Sequence, residues 1–272
     1  MPSAARLRAR LESSLPENLS STLLQRERPA PLTVSIGIPA LDALTGGLPC
    51  GALSEITGPA SSGRTGVMLA AFAGATRRQE VCALVDAGDN FDPVSGEAAG
   101  INLERLLWVR CSEPAATSRP KDCARPGLGR LEQVLKVADL LLQGGGFGMV
   151  ALDLTDIPPD AARRVPLTSW FRFRRAVEPT PTVLLLIEQE PCAKTCASLV
   201  MRLACEAVYA RNAVLELTQV PTLNPRVPQQ NPVSHAALLR GMRLRAEVLR
   251  SWMQRGPELS ANTTFELYAT LR

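Results

Sequence analysis

Between Gly58 and Thr65 the chain reads Gly-Pro-Ala-Ser-Ser-Gly-Arg-Thr. Spaced glycines followed by a basic residue and a hydroxyl make a loop whose backbone N–H groups cradle phosphates, while the hydroxyl holds Mg²⁺. The full pattern of such a P-loop ends in Gly-Lys-Ser/Thr. Here Gly58, Gly63 and Thr65 are in place, Ser61 and Ser62 fill the loop, and Arg64 stands where the lysine belongs. Arginine keeps the charge but is a wide planar fork rather than a compact ammonium, so the exchange is not conservative in a tight cradle. The residues predict a nucleotide-phosphate site whose chemistry is compromised.

A second phosphate-site element follows in Met149-Val-Ala-Leu-Asp153, an apolar run ending in a carboxylate. Such a strand places an aspartate beside Mg²⁺, so Thr65 and Asp153 are the expected metal residues if nucleotide binds. The plainer alternative is that Asp153 only caps the turn after its strand. Other chemistries fare worse. Cys192 and Cys196, with Cys205 nearby, lack the second cysteine pair a zinc site needs, and His235 is the one histidine. A single histidine also rules out a credible nucleophile–histidine set. Arg163, Arg164, Trp170, Arg172, Arg174 and Arg175 form the most basic and aromatic stretch, the mixture that single-stranded nucleic acid binding uses. The bland reading is an amphipathic helix with its rings in the core and its arginines in water.

The elements around these residues follow from pattern. Ala52 to Thr57 reads as a strand running into the loop, and Gly66 to Thr76 continues as a helix. Val81 to Asp86 and Leu106 to Arg110 read as strands, and Met149 to Asp153 and Val183 to Ile187 are continuous apolar runs of the kind buried on both faces of a parallel sheet. Helical stretches lie between them, near 93–99 and from Leu131 to Leu142, the latter stopped by Gly144-Gly-Gly146. Strand–helix alternation of this kind predicts an α/β fold with a mostly parallel sheet. Residues 4–26 read as an amphipathic helix with Leu7, Leu11 and Leu15 on one face, cut off by Pro29-Ala-Pro31. Residues 112–129 and 221–234 are Pro-rich loops, and 242–251 with 263–268 are expected to pair as a terminal hairpin. The expected organisation is an N-terminal helix and linker (1–31), a core (32–220) and a Pro-rich linker with a small C-terminal extension (221–272).

At 272 residues with 46% apolar and 21% charged side chains, the chain can bury a full core. No apolar run is long enough to span a bilayer, and the first residues lack the apolar stretch of a signal peptide. Seven scattered cysteines fit a reduced, cytoplasmic protein better than a disulfide framework. The net charge of +4 is mild, but thirty basic residues include only Lys121, Lys136 and Lys194 as lysines. That bias fits a GC-rich genome, or arginine contacts with phosphate or an acidic partner.

Four blocks resemble the bacterial RecA recombinase family: 35–42 (Ser-Ile-Gly-Ile-Pro-Ala-Leu-Asp), 46–51 (Gly-Gly-Leu-Pro-Cys-Gly), 55–63 across the loop, and 85–93 (Val-Asp-Ala-Gly-Asp-Asn-Phe-Asp-Pro). The likeness is dense from about residue 33 to 111 and thinner to about 218. It implies a RecA-like P-loop core binding ATP with Mg²⁺, and a γ-phosphate-sensing glutamine retained as Gln189. It also shows departures. The family's water-activating glutamate corresponds to Gly88, its adenine-stacking tyrosine to Ser95, and its P-loop lysine to Arg64. The glycine-rich DNA-binding loop after Gln189 is shortened to about 191–198, and the loop after Asp153 is rebuilt. A RecA-like core with a decayed ATP site is similar to the ImuA family, the RecA-like accessory proteins of bacterial mutagenesis cassettes. That resemblance implies a part in DNA repair through SOS-induced translesion synthesis, with RecA and translesion polymerase-type partners. The nucleotide site then holds ATP and Mg²⁺, or nothing at all, and turnover is slow or absent. The alternative is a DNA-dependent ATPase of the recombinase class that binds single-stranded DNA, with Asp89 replacing the missing glutamate. A regulator that binds ATP without turnover is a third possibility. The N-terminal helix is expected to dock on a RecA protomer or to fold back on its own core.

Overall fold

A computed structural model describes residues 32–111, 128–210, 213–216, 239–251 and 261–268. The expected N-terminal helix (4–26), the loop at 112–127 and the Pro-rich stretch 221–234 lie outside the described residues. The sheet at the centre has nine strands. Six run parallel in the order β5 (Leu106–Arg110), β4 (Cys82–Asp86), β6 (Met149–Asp153), β7 (Val183–Glu188), β3 (Ala52–Thr57) and β8 (Ala197–Ala210). Beyond β8 the sheet turns antiparallel through β10 (Leu239–Ser251) and β11 (Ala261–Tyr268), while β9 (Ala213–Glu216) pairs with the far part of β8. A separate two-stranded ribbon joins β1 (Thr33–Val34) to β2 (Leu48–Pro49). This is a mixed α/β architecture with a mostly parallel sheet, as the alternating pattern requires.

The inner strands β4, β6 and β7 are buried at every position, which is why they read as unbroken apolar runs. One face of the sheet is covered by α2 (Arg64–Arg77), through Val67, Met68, Ala71, Phe72 and Ala75. The opposite face is covered by α4 (Leu128–Gly144) and α6 (Leu167–Val177), through Leu131, Val134, Ala138, Trp170 and Phe173. Short helices α1 (Pro39–Thr45), α3 (Pro93–Ala98) and α5 (Pro159–Ala162) complete the layers. Helix α1 begins on a proline, whose fixed φ suits a first helical turn, and stops at Gly46 in the left-handed conformation at φ 72°.

The terminal hairpin forms as a pair, with Leu244 opposite Phe265. Rather than hanging from the core, it extends the main sheet: β10 pairs along β8 from Leu239↔Ala210 to Ser251↔Leu199. Its inward side chains Leu244, Ala246, Val248 and Phe265 are buried in the same cluster as Phe72 and Met68. Among the described residues no helix is long and apolar enough to cross a membrane.

Candidate functional site

Strand β3 delivers the chain into the 58–63 loop, and α2 takes it away, so the loop's N–H groups crown a helix N-terminus. At its two glycines the turn leaves no room for a side chain. Gly63 has φ 83°, and a Cβ there would come within 2.2 Å of Leu244 Cδ1 from β10. A Cβ on Gly58 would meet the Leu203 carbonyl oxygen at 2.4 Å. The antiparallel part of the sheet is thus the floor on which the loop rests.

In front of the loop lies a cavity of about 360 Å³, whose lining includes Ser61, Arg64, Thr65, Asp153, Asp156 and Gln189. Five of the residues expected at a nucleotide-phosphate site therefore share one pocket; Asp156 was not among those expected. Asp153 closes β6, and its Oδ1 accepts the Thr155 N–H at 3.0 Å, so it caps its own turn while also lining the cavity. Burial pushes its carboxyl above the ordinary aspartate value, partly offset by the Thr155 hydrogen bonds and the Arg64 charge. Gln189 follows β7 directly. Its Nε2 donates to the Thr155 carbonyl at 2.9 Å, and its own carbonyl accepts the Gly58 N–H at 3.2 Å.

Arg64 is 7% exposed, and its Nη1 has no hydrogen-bond partner. Burial lowers its pKa, while Asp153, Glu188 and Asp156 act in the other direction and favour the charged form. A buried guanidinium nitrogen without an acceptor is costly. An anionic oxygen supplied by a ligand is the group that would satisfy it. The residues present thus fit a phosphate, and Thr65 and Asp153, which line the same cavity, are the residues that could hold a magnesium ion. Ser62 is also buried with an unpartnered hydroxyl, but it does not line the cavity.

The loop after β4 explains position 88. Asp86 is buried and anchors that loop by accepting the Gly88 N–H (3.0 Å), the Phe91 N–H (2.9 Å) and the Trp108 indole N–H (3.2 Å). A Cβ on Gly88 would sit 2.3 Å from Asn90 Nδ2 and 2.5 Å from Asp156 Oδ2. Those two atoms are themselves hydrogen-bonded at 2.9 Å. A side chain at 88 would have to displace the tips of Asn90 and Asp156. Asp89, the carboxylate suggested as a replacement, pairs with Arg110 at 3.6 Å and is not among the residues lining the cavity. The additional carboxylate in the pocket is Asp156. Position 95 is likewise committed, since the Ser95 hydroxyl donates to Asp92, the N-cap of α3, at 2.5 Å.

The basic stretch lies on α6 and the link that precedes it, outside the lining of this pocket, and one of its members needs correcting. Trp170 is fully buried against Phe173, ring centroids 5.9 Å apart, and offers no face to a base. The spacing of Trp170, Phe173 and Val177 places all three on the inward side of α6. The ring that does reach solvent is Phe171, 42% exposed. Arg163 pairs with Glu190 and Asp160. Arg172 pairs with Asp139 at 2.9 Å and lies over the Phe173 ring. Arg164 and Arg175 are exposed, and Arg174 is half-buried.

A mostly parallel sheet with this loop at the carboxyl end of β3 is the architecture of a P-loop protein. A crystal structure of the RadB recombinase superposes with a TM-score of 0.52 at 17% identity, covering 86% of this chain and 95% of that one. The RecA N-terminal domain family matches residues 21–160, and the chain belongs to that family. Protein RecA of Colwellia psychrerythraea is 36% identical over 123 residues, which is 44% of this chain. The chain spans 31% of that relative's length.

Proposed function

We propose that this protein is a RecA-like accessory factor of DNA repair, serving SOS-induced translesion synthesis by contact with RecA and polymerase-type partners. Its pocket holds ATP with Mg²⁺ and turns it over slowly or not at all. The observation that supports slow turnover is the missing side chain at Gly88, where the hydrogen-bonded tips of Asn90 and Asp156 stand in its place. A general base typically contributes about 10²–10⁴-fold to rate, and an enzyme without one at that position works at the low end. When bound, Mg²⁺ would neutralise phosphate charge. The chain's own part is to orient the phosphates with the loop N–H groups and Arg64, and to hold the cation with Thr65 and Asp153.

A second reading has one observation in its favour. Asp156 lines the pocket and is oriented by Asn90, so it is a carboxylate placed to position water in a working DNA-dependent ATPase. One experiment separates the two: ATP hydrolysis with and without single-stranded DNA, beside equilibrium binding of ATP·Mg²⁺. The accessory reading expects binding that Arg64→Ala abolishes, and turnover no faster than that variant's. A DNA-stimulated rate lost in both Arg64→Ala and Asp156→Asn would overturn it in favour of the ATPase. Association with RecA, measured by co-sedimentation with its filaments, tests the partner; no association would remove that part of the proposal.

A further inference from the structure

Beneath the phosphate pocket lie two glutamates that its chemistry does not use. Glu55 sits within β3 and Glu188 ends β7, the parallel neighbour of β3. Each is 1% exposed. Ligand atoms of Glu55, Glu188 and the buried Cys192 thiol all lie within 4.8 Å of one another. Glu55 Oε1 accepts the N–H groups of Cys192 (3.0 Å) and Ala193 (2.5 Å), and Glu188 Oε1 accepts the Cys192 N–H at 3.3 Å. The Oε2 atoms of both carboxyls are buried and meet no donor.

Two ionised carboxylates this close in a dry interior repel strongly, and each orphan oxygen adds its own desolvation cost. One proton between them removes both penalties. The geometry says which group keeps it. Glu55 accepts two backbone N–H bonds, while Glu188 accepts one longer backbone bond, so Glu188 is the group left free to donate.

We propose that Glu188 is protonated at neutral pH and donates to Glu55, and that this shared proton clamps the Pro191–Cys196 segment onto the end of β7. Burial, then the adjacent Glu55, push the Glu188 carboxyl well above the ordinary glutamate range. The other groups around the pair are the Cys192 and Cys196 thiols, Arg64 from α2, and Lys194, Arg174 and Arg250 of β10, which act on those thiols. The clamp adjoins the pocket covalently. Glu188 is followed by Gln189, whose carbonyl holds Gly58 and whose side chain lines the cavity, and then by Glu190, which pairs with Arg163. Losing the proton places two anions under Gln189 and loosens its hold. The clamp stands on the buried pair alone; its effect on ATP rests on the reading that the pocket binds nucleotide.

In the unfolded chain both glutamates ionise in the ordinary range, whereas the native state keeps one proton to higher pH. The native state therefore binds one more proton in that window, and the folding equilibrium constant falls about tenfold per pH unit as pH rises through it. Glu188→Gln replaces the neutral acid by an amide that can donate to Glu55 and accept from Cys192. Asp153, also raised by burial, contributes a slope of the same sign, but equally in both proteins.

The experiment is urea unfolding of full-length wild type and Glu188→Gln between about pH 5 and 8, with hydrogen-exchange protection of the Cys192 and Ala193 amides and with EDTA added in parallel. The expected result is a stability difference that widens by up to about tenfold per pH unit in favour of the variant. Protection of both amides should fall with pH in wild type only. Glu55→Gln is the second variant and also leaves one carboxylate beside an amide, so it should lose the same slope. Parallel stability curves for wild type and both variants would overturn the clamp. So would destabilisation of wild type by EDTA, which would make the trio a divalent-cation site instead. ATP·Mg²⁺ affinity is measured on the same samples. Affinity that weakens with pH in wild type alone supports the link to the pocket, and identical profiles overturn that link. Absence of ATP binding in both proteins would sink the nucleotide reading while the unfolding data still judge the clamp.

Discussion

Single residues carried most of what the sequence revealed about chemistry, and they also mark its limits. Ser61, Arg64, Thr65 and Asp153, which share the cavity, were legible because a phosphate loop and a strand-end aspartate are spacing patterns, whereas Gln189 came only from the family resemblance. Asp156 was not legible. It enters the pocket because the turn after β6 brings it to Asn90, 66 residues away in the chain. The Glu55–Glu188 pair escaped for the same reason: each glutamate looks like an ordinary surface charge until the parallel pairing of β3 with β7 buries both. Trp170 was misassigned because an arginine-rich helix with aromatic residues has one composition whether its rings face in or out. Its burial makes a quantitative claim. Trp170→Ala should lower stability by about 3–5 kcal/mol, read from the urea midpoint, with Trp170→Phe in between. A loss below about 1 kcal/mol together with weakened DNA binding would put the ring on the surface instead.

At the scale of elements, α6 shows how packing settles what composition leaves open. Its inward side is set by Trp170, Phe173 and Val177, and that leaves Phe171, Arg172 and Arg175 outward. Phe171 and Arg175 are four apart and so share one side of the helix. Arg163 and Arg172 already have carboxylate partners, though at more than half exposure these pairs are worth little and yield readily to a phosphate. Any single-stranded DNA binding here is therefore electrostatic and modest, with Phe171 as the stacking ring. Each phosphate neutralised contributes roughly −0.7 to the slope of log affinity against log salt. Replacing Arg164, Arg172, Arg174 and Arg175 by alanine should flatten that slope by two or more units, estimated as about 0.7 per lost contact, and Phe171→Ala should weaken binding with the slope intact. Fluorescence anisotropy with an oligonucleotide across a salt series measures both. An unchanged slope in the arginine variant would place the DNA contact elsewhere or nowhere.

The whole molecule was legible as far as its parallel half. Strands β4, β6 and β7 are buried on both faces and so announce themselves as apolar runs, while β3 is announced by the phosphate loop it feeds. Strand β8 does not, because its exposed face carries Arg202 and its partly exposed Glu206, paired with Glu247 and Arg245 of β10. Arg202 and Glu206 stand four apart, a spacing a helix shares, so the sequence does not display the 14-residue strand on which the C-terminal hairpin is built. The consequence reaches the phosphate site. Leu244 fills the space beside Gly63, Leu267 that beside Gly66, and the Leu203 carbonyl that beside Gly58. A chain ended at residue 220 would lose β10 and β11, leaving the buried edge of β8 open and Leu199, Met201 and Leu203 uncovered. Burying a single large apolar side chain is worth about 1.5–3 kcal/mol, so losing Leu244, Val248, Phe265 and their partners removes an amount comparable to the whole stability of a domain, about 5–15 kcal/mol. The 1–220 fragment should therefore fail to unfold cooperatively, expose apolar surface to a hydrophobic dye, and bind no ATP·Mg²⁺ even though every residue of the loop is present. Leu244→Ala in the full chain should be the milder version. It should cost about 2–5 kcal/mol and weaken nucleotide affinity beyond what the stability loss explains, because the loop has lost its floor. A 1–220 fragment that melts cooperatively and binds ATP·Mg²⁺ like the full chain would show that the hairpin merely covers the core.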